Sequence, residues 1–140
     1  MSREILFRGK RTDNGEWVEG WVTSQFKKHT EGELLTRIQS NVFGVGEHLV
    51  DTETVGQYTG LTDKNGKKIF EGDIIICKKE ICGNFIDSCV EIGFVEMKHG
   101  AFGLHRKQGY YRPFKDWLED YEYEIIGNIH DNPELLEVSE

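Results

Sequence analysis

The sequence lacks an excess of basic residues and has no long hydrophobic run. Among its 140 residues, 17 Lys and Arg stand against 25 Asp and Glu, which gives a formal net charge of −8. This balance argues against nucleic-acid binding driven by phosphate contacts, because such binding needs a basic face. The net negative charge does not exclude a local basic patch. No apolar run approaches the ~20 residues that a membrane-spanning helix requires, so no membrane partner is expected.

An export signal is also missing, and cysteines are few. The opening segment MSREILFRGK carries charges inside its short apolar run and contains no small-residue cleavage site, so it does not read as a signal peptide. The chain has three cysteines, an odd number that is typical of reduced thiols and not of a disulfide framework. We therefore predict a cytoplasmic location.

Signatures of catalysis or metal binding are absent or weak. The five histidines have no HExxH spacing, and no glycine cluster completes a phosphate-binding loop. A zinc site could use Cys77, Cys82 and Cys89 with His99 or His105, but no C-x2-C pair is present. The favoured interpretation makes Cys77 and Cys89 small buried residues at strand ends and puts Cys82 in a loop. We predict no catalytic residue, no metal and no cofactor.

Acidic residues beside a turn offer one enzymatic alternative. Asp63, Glu71 and Asp73 lie close together in the sequence, and paired carboxylates perform acid–base or metal chemistry in a concave, partly dry site. At turns and strand ends, however, carboxylates usually cap backbone N–H groups. We expect the structural role, and a hydrolase would need at least a deep acidic pocket.

The sequence does contain many short β-type runs separated by glycine-containing turns. In residues 55–77 (VGQYTGLTDKNGKKIFEGDIIIC), two such runs flank Asp63-Lys64-Asn65-Gly66, and Asn-Gly supplies the positive φ of a tight hairpin. Gly72 marks a bend or bulge, and Ile74-Ile75-Ile76 predict a strand covered on both faces. A second Asn-Gly turn stands at Asn14-Gly15.

Other local patterns predict the geometry of one strand and the positions of two short helical segments. Trp17 and Trp21 are four residues apart, so a regular strand places both on one face, and Gly20 between them marks a bulge or a close backbone approach. Pro113 opens a segment that predicts a helical turn, and Asn132 followed by a proline predicts a short C-terminal helix.

Together these patterns predict a mostly-β fold. Many short strands joined by glycine-containing turns are typical of a barrel-like domain, here with short helical turns. The length suits one domain, or two small lobes that share a core.

Aromatic residues outnumber those that one small barrel can bury, and Tyr and Trp favour protein interfaces. The candidate interface residues are Trp21, Tyr110, Tyr111 and Trp117. For Tyr110 and Tyr111, a place in the core fits equally well. As an alternative, an OB- or SH3-like face could stack bases on aromatics beside nearby lysines. Those lysines are Lys67, Lys68, Lys78 and Lys79.

Three segments, which together span nearly the whole chain, carry a family resemblance. They are residues 3–9 (REILFRG), 55–75 (VGQYTGLTDKNGKKIFEGDII) and 126–136 (IGNIHDNPELL). They resemble the YopX family, small proteins of bacteriophages and of prophages in bacterial genomes. The matching central residues, which we interpret as fold determinants, are Val55, Gly56, Tyr58, Gly60, Leu61, Asp63, Asn65, Gly66, Glu71, Gly72 and Asp73. Residues 78–88 are not part of the pattern.

The resemblance implies a single YopX-like domain over residues 1–140 with a mostly-β fold. It implies a small N-terminal β lobe, residues 1–54, followed by an SH3-like or partly open β-barrel in residues 55–140. It also implies self-association, and it implies no reaction. We therefore expect a non-enzymatic, phage- or prophage-derived protein in the cytoplasm of a bacterial host. It would be a homo-oligomer or bind a protein partner, and an accessory role on nucleic acid is the less favoured alternative.

Overall fold

The computed structural model describes residues 4–27, 34–40, 46–81, 84–107, 111–114 and 121–137, with side chains described outside residues 79–90. These ranges contain eleven strands. In chain order they are β1 (Phe7–Lys10), β2 (Trp17–Lys27), β3 (Leu34–Ser40), β4 (Glu47–Asp51), β5 (Gly56–Thr62), β6 (Lys68–Phe70), β7 (Asp73–Ile81), β8 (Asn84–Lys98), β9 (Ala101–Arg106), β10 (Tyr111–Pro113) and β11 (Tyr121–Asn128). Short 3₁₀ helices span Thr52–Thr54 and Pro133–Leu136.

The described strands form two antiparallel sheets, which confirms the mostly-β prediction. One sheet has six strands in the order β4-β3-β2-β1-β5-β6, and the other has five in the order β10-β9-β8-β7-β11. Neither is a closed barrel, and the SH3-like form predicted for the C-terminal part is not confirmed. The reason is that β10 and β11 are the two edges of their sheet and do not pair with each other. The chain divides into two compact units, residues 1–60 and 61–140.

In the first unit, the predicted Asn-Gly turn connects β1 to β2. Gly15 has a φ of +73°, and the side-chain oxygen of Asn14 accepts a hydrogen bond from the backbone N–H of Glu16 at 2.9 Å. The core of this unit includes Ile38 and Val50, both fully buried. A bridge between Arg11 and Val50 lies beyond the end of β1, so the outer edge of β4 is partly paired.

Strand β2 behaves as the spacing of its tryptophans predicts. Its register with β1 and β3 is unbroken from Trp17 to Val22, so Trp17 and Trp21 share a face. Between them, Gly20 is buried, and a Cβ atom there would lie far inside contact distance of the Gln39 carbonyl oxygen on β3. Of the two alternatives for Gly20, the close backbone approach is correct.

The second unit is built around β7. Ile74 and Ile75 point to opposite faces and are both fully buried, which confirms the prediction of a strand covered on both sides. The core on one face consists of Ile69, Ile75, Cys77, Val95, Leu104 and Phe114. Each large aliphatic side chain in such a core contributes about 1.5–3 kcal/mol through burial, so this cluster fixes the position of β7 between β8 and β11.

The predicted C-terminal helix is present as the 3₁₀ helix Pro133–Leu136, with Asn132 at its N-cap position. The Asn132 side chain does not cap this helix, however; its oxygen accepts a hydrogen bond from the Asn128 N–H at 3.2 Å. The helical turn predicted after Pro113 lies mostly outside the described residues.

Gly20→Ala is expected to destabilise the first unit, because the added methyl group would overlap the Gln39 carbonyl of the neighbouring strand. Overpacking of this kind costs about 1–3 kcal/mol, to be measured as the free energy of unfolding in urea by circular dichroism. Gly46→Ala is the matched control, since nothing lies within 4 Å of a Cβ at that position. Equal stability of the two variants would contradict the close approach.

Candidate functional site

The strongest candidate from the sequence, the hairpin between β5 and β6, is folded around the carboxylate of Asp63. This side chain is only 6% exposed, and its Oδ1 accepts hydrogen bonds from the backbone N–H groups of Asn65 and Lys67, both at 2.9 Å. The main chain closes the same turn, since the Asp63 N–H donates to the Lys67 carbonyl at 2.8 Å. Gly66 has a φ of +81°, as the predicted Asn-Gly turn requires.

The same carboxylate reaches a distant strand. Oδ2 of Asp63 accepts a hydrogen bond at 3.2 Å from the N–H of Ile125 on β11, 62 residues further along the chain. The adjacent Lys64 N–H donates to the Tyr123 carbonyl at 2.9 Å, and the Lys64 ammonium lies 2.8 Å from a carboxylate oxygen of Glu124. The turn therefore covers the outer edge of β11, which would otherwise present unpaired backbone groups.

The environment keeps Asp63 ionised. Burial raises the pKa of this carboxyl, but the backbone N–H groups of Lys67, Ile125 and Asn65 and the charge of Lys67 outweigh burial and hold the pKa below its usual 3.8. A carboxylate with a low pKa is a weak base, and both of its oxygens already accept hydrogen bonds. The geometry thus gives Asp63 a structural role.

Asp73, the second carboxylate of the motif, is also engaged with the backbone. It is 2% exposed, and its Oδ2 accepts a hydrogen bond from the Phe70 N–H at 2.8 Å. The bend before it has Gly72 at a φ of +89°. Gly72 joins two elements, since its N–H donates to the Val95 carbonyl and its own carbonyl accepts from the Ile129 N–H, both at 2.8 Å.

The C-terminal segment of the motif forms a turn stabilised by asparagine. The side-chain oxygen of Asn128 accepts hydrogen bonds from the N–H groups of His130 and Asp131 at 3.0 and 2.9 Å. This turn presents the Ile129 N–H to Gly72. Two segments far apart in sequence are thereby joined through backbone hydrogen bonds.

The remaining motif residues have mixed surroundings. Gly56 is buried opposite Arg8 of β1, and the Tyr58 N–H donates to the Leu6 carbonyl at 2.8 Å. Gly60 has a φ of +89°, and Glu71 is half-buried. Among the described residues, no group of three or more His, Cys, Asp or Glu side chains could hold a metal ion.

The candidate interface residues differ in their surroundings. Trp21 is 51% exposed on β2. Tyr111 is half-buried against its own unit: its hydroxyl donates a hydrogen bond to the Ala101 carbonyl, and the Lys98 ammonium lies 5.9 Å from its ring centroid. Tyr110 and Trp117 lie outside the described residues.

The lysines considered for nucleic-acid contact have acidic neighbours. Lys78 on β7 stands directly opposite Glu122 on β11, and Glu124 on the same strand pairs with Lys64. Lys67 is exposed and Lys68 is half-buried. The side chain of Lys79 lies outside the described part of the chain. This interleaving of charges weakens any continuous basic surface here.

Of the three cysteines, only Cys77 has a described side chain. It is fully buried in the core of the second unit, inside β7 and not at a strand end as predicted. Burial, with a smaller effect of Glu91, raises the pKa of the Cys77 thiol to about 12. A thiol in this state is a small apolar core residue with little thiolate character.

No helix in the described ranges is long and apolar enough to cross a membrane.

Comparisons with known proteins identify a family and a similar solved structure. The family model described as YopX protein matches residues 6–137. The crystal structure of protein EF1440 from Enterococcus faecalis is similar, with 27% sequence identity and a TM-score of 0.51 over 97% of this chain and 100% of that chain. No curated protein matches the chain.

Asp63→Asn is expected to destabilise the protein by about 3 kcal/mol, because one of the two acceptor oxygens becomes an amide donor facing a backbone N–H. Urea unfolding at pH 7 measures the change. Asp13→Asn is the control, since Asp13 also precedes an Asn-Gly turn but is exposed and paired with Arg11. That variant should unfold close to the wild-type urea midpoint. A comparable loss of stability in both variants would contradict the stabilising role of the Asp63 hydrogen bonds.

The stability difference between wild type and Asp63→Asn should depend on pH. Because folding lowers the pKa of Asp63, its contribution is fully present above the unfolded pKa of about 3.9 and disappears as the pH falls through the lower folded value. Urea midpoints of both proteins, measured between pH 7 and pH 2, should therefore converge at the acidic end. A gap that stays constant with pH would show that ionisation of Asp63 is not the cause.

Cys77 should resist thiol reagents in the folded protein, because its thiol is buried and its pKa is raised to about 12. In a Cys82→Ser/Cys89→Ser variant, a chromogenic disulfide reagent at pH 8 is expected to label no thiol before urea is added and one thiol per chain afterwards. Rapid labelling of the folded variant would place Cys77 at an accessible position.

Proposed function

The chain belongs to the YopX family, and on this premise we propose that it is a non-enzymatic, phage- or prophage-derived protein that associates with itself or with another protein. In this proposal it acts as an accessory factor in the cytoplasm of a bacterial host, and its association uses the first unit.

The use of the motif carboxylates supports a non-enzymatic role. Of the three acidic motif residues that an enzymatic reading would employ, Glu71 is half-buried, and Asp63 and Asp73 are nearly fully buried with backbone N–H groups as partners. Their hydrogen bonds hold turns together and leave them poorly placed to meet a substrate. In this proposal, the carboxylates of the motif stabilise the fold and take no part in a reaction.

The observation that carries the association proposal is the exposure of Trp21. On the same face of β2, the ring of Trp17 is covered by the Arg8 guanidinium at 4.8 Å, whereas Trp21 leaves 51% of its surface in solvent. Burying the exposed half of a tryptophan removes about 100 Å² of largely apolar surface from water, worth about 2.5 kcal/mol. Tryptophan is also among the residues that most often dominate binding energy.

The Trp21 side chain extends from a strand that is paired within a sheet. Trp21 lies opposite Gln39 of β3, and Gly20 beside it brings the two backbones close together. A tryptophan on a sheet loses less conformational entropy on binding than one on a loop. In a symmetric dimer, the same patch would contribute from both protomers.

The nucleic-acid alternative has less support. Lys78 stands opposite Glu122, and Lys64 pairs with Glu124, so acidic side chains would face a phosphate backbone along with the lysines. Such alternation reduces the counterion release that gives electrostatic binding its affinity.

Trp21→Glu is expected to weaken self-association, because a charge would have to be buried where an indole now supplies apolar surface. Size-exclusion chromatography with light scattering should return a mass above 16.2 kDa for the wild type at high concentration and a mass closer to the monomer for the variant. A wild type that stays at 16.2 kDa at every concentration would count against self-association.

Met97→Glu is the matched control for this experiment. Met97 is another exposed apolar residue, 41% exposed and located in the second unit, so the same charge is introduced on a different unit from Trp21. It should associate as the wild type does. Equal loss of association in both variants would point to a general charge effect and not to Trp21.

A further inference from the structure

The second unit contains a concavity that the family motif does not explain. It has a volume of about 180 Å³ and lies where β8 and β9 meet the C-terminal 3₁₀ helix. Its lining residues are Phe94, His105, Arg106, Lys107 and Leu136. Phe94 and His105 are direct partners in the β8–β9 register, and the Lys107 N–H donates to the Ile92 carbonyl at 2.8 Å. The floor of the concavity is therefore regular sheet.

A stacked ring pair forms part of this floor. The Phe94 and His105 rings are 4.9 Å apart and within 12° of parallel, and 44% of the His105 side chain is exposed. Glu96 lies 3.1 Å from Nδ1 of His105 and holds the ring in this orientation. The pair presents a fixed aromatic surface, supported from behind by Phe94, beside the apolar side chain of Leu136.

The charge of the lining is opposite to that of the whole chain. Among the described residues, no carboxylate lines the concavity, although the chain carries a net charge of −8. Two lining residues have acidic partners, His105 with Glu96 and Arg106 with Glu91 at 3.4 Å. Lys107 is half-buried and, among the described residues, has no carboxylate partner. An ammonium with no counter-charge among the described residues favours an anionic ligand.

We propose that this concavity binds a nucleotide, with the planar base stacked on the His105 ring and the phosphate paired with Lys107. The proposal joins the two observations, since an aromatic surface selects a planar ring, and a lysine of the same lining with no described carboxylate partner selects an anion. An acidic peptide would use Lys107 alone. This site is independent of the association proposed for the first unit.

The size of the concavity sets the expected affinity. Sites that enclose a whole small molecule usually measure about 300–1,000 Å³, so this one holds the base or the phosphate only in part. A dissociation constant of about 0.1–1 mM is therefore expected. The source of the nucleotide is either a free mononucleotide or the end of a single strand, and both share this chemistry.

Calorimetric titration of the full chain with adenosine 5′-monophosphate tests the proposal. Adenosine, which lacks the anion, and inorganic phosphate, which lacks the ring, should each bind at least tenfold more weakly. Equal binding of adenosine and its monophosphate, or no binding of the monophosphate at millimolar concentration, would overturn the proposal. A short oligodeoxyadenylate distinguishes the sources: tighter binding than the monophosphate indicates a strand, and equal binding indicates the free nucleotide.

Matched variants locate the site. Lys107→Glu should weaken monophosphate binding at least tenfold, and His105→Ala should weaken both the monophosphate and any residual adenosine binding. Lys98→Glu makes the same change in net charge on β8, but Lys98 does not line the concavity and lies against the Tyr111 ring. It should alter binding less than twofold. Equal effects of Lys107→Glu and Lys98→Glu would show only non-specific electrostatics and would overturn the proposal.

Discussion

The second unit depends on one buried, ionised carboxylate. The two oxygens of Asp63 accept hydrogen bonds from three backbone N–H groups, two inside the β5–β6 turn and one on β11. Buried backbone N–H groups must find partners, and these three find them in a single side chain. Aspartate suits the position because it is short and presents only acceptors when ionised. Its hydrogen bonds are charge-assisted, so their strength compensates for the burial of the charge.

Local sequence patterns were sufficient to predict the elements around this carboxylate, because a turn or a strand depends on neighbouring residues. The Asn-Gly turn at Gly66, the bend at Gly72 and the burial of Ile74 and Ile75 are all present. The hydrogen bond from Ile125 was not predictable, since no periodicity or spacing signals a partner 62 residues away. The barrel form is not confirmed for a related reason: short strands with glycine turns do not specify which strands form the edges of a sheet.

The same limit applies to the candidate site: local sequence patterns predicted turns and burial, but not contacts between residues on different strands. The sequence favoured a structural role for Asp63 and Asp73, whose carboxylates accept backbone hydrogen bonds. It also marked Cys77 as buried, but at a strand end, whereas Cys77 lies inside β7. It considered His105 only as a zinc ligand, because the stack on Phe94 arises from the β8–β9 register and leaves no trace in residue spacing. No sequence pattern singled out the half-buried Lys107 either, because the fold decides which acidic residues lie near a lysine.

A physical separation of roles follows from where the residues lie. The resembling segments, residues 3–9, 55–75 and 126–136, supply the turn, bend and backbone contacts, so changes there act on the fold first. Trp21, His105 and Lys107 lie between those segments, and their side chains are partly exposed and carry little of the core. Substitution of such residues costs little stability, which leaves their identity open to a binding role. A chain organised in this way can keep its scaffold while its surfaces acquire different ligands, and this is why the motif alone identifies the family without identifying a function.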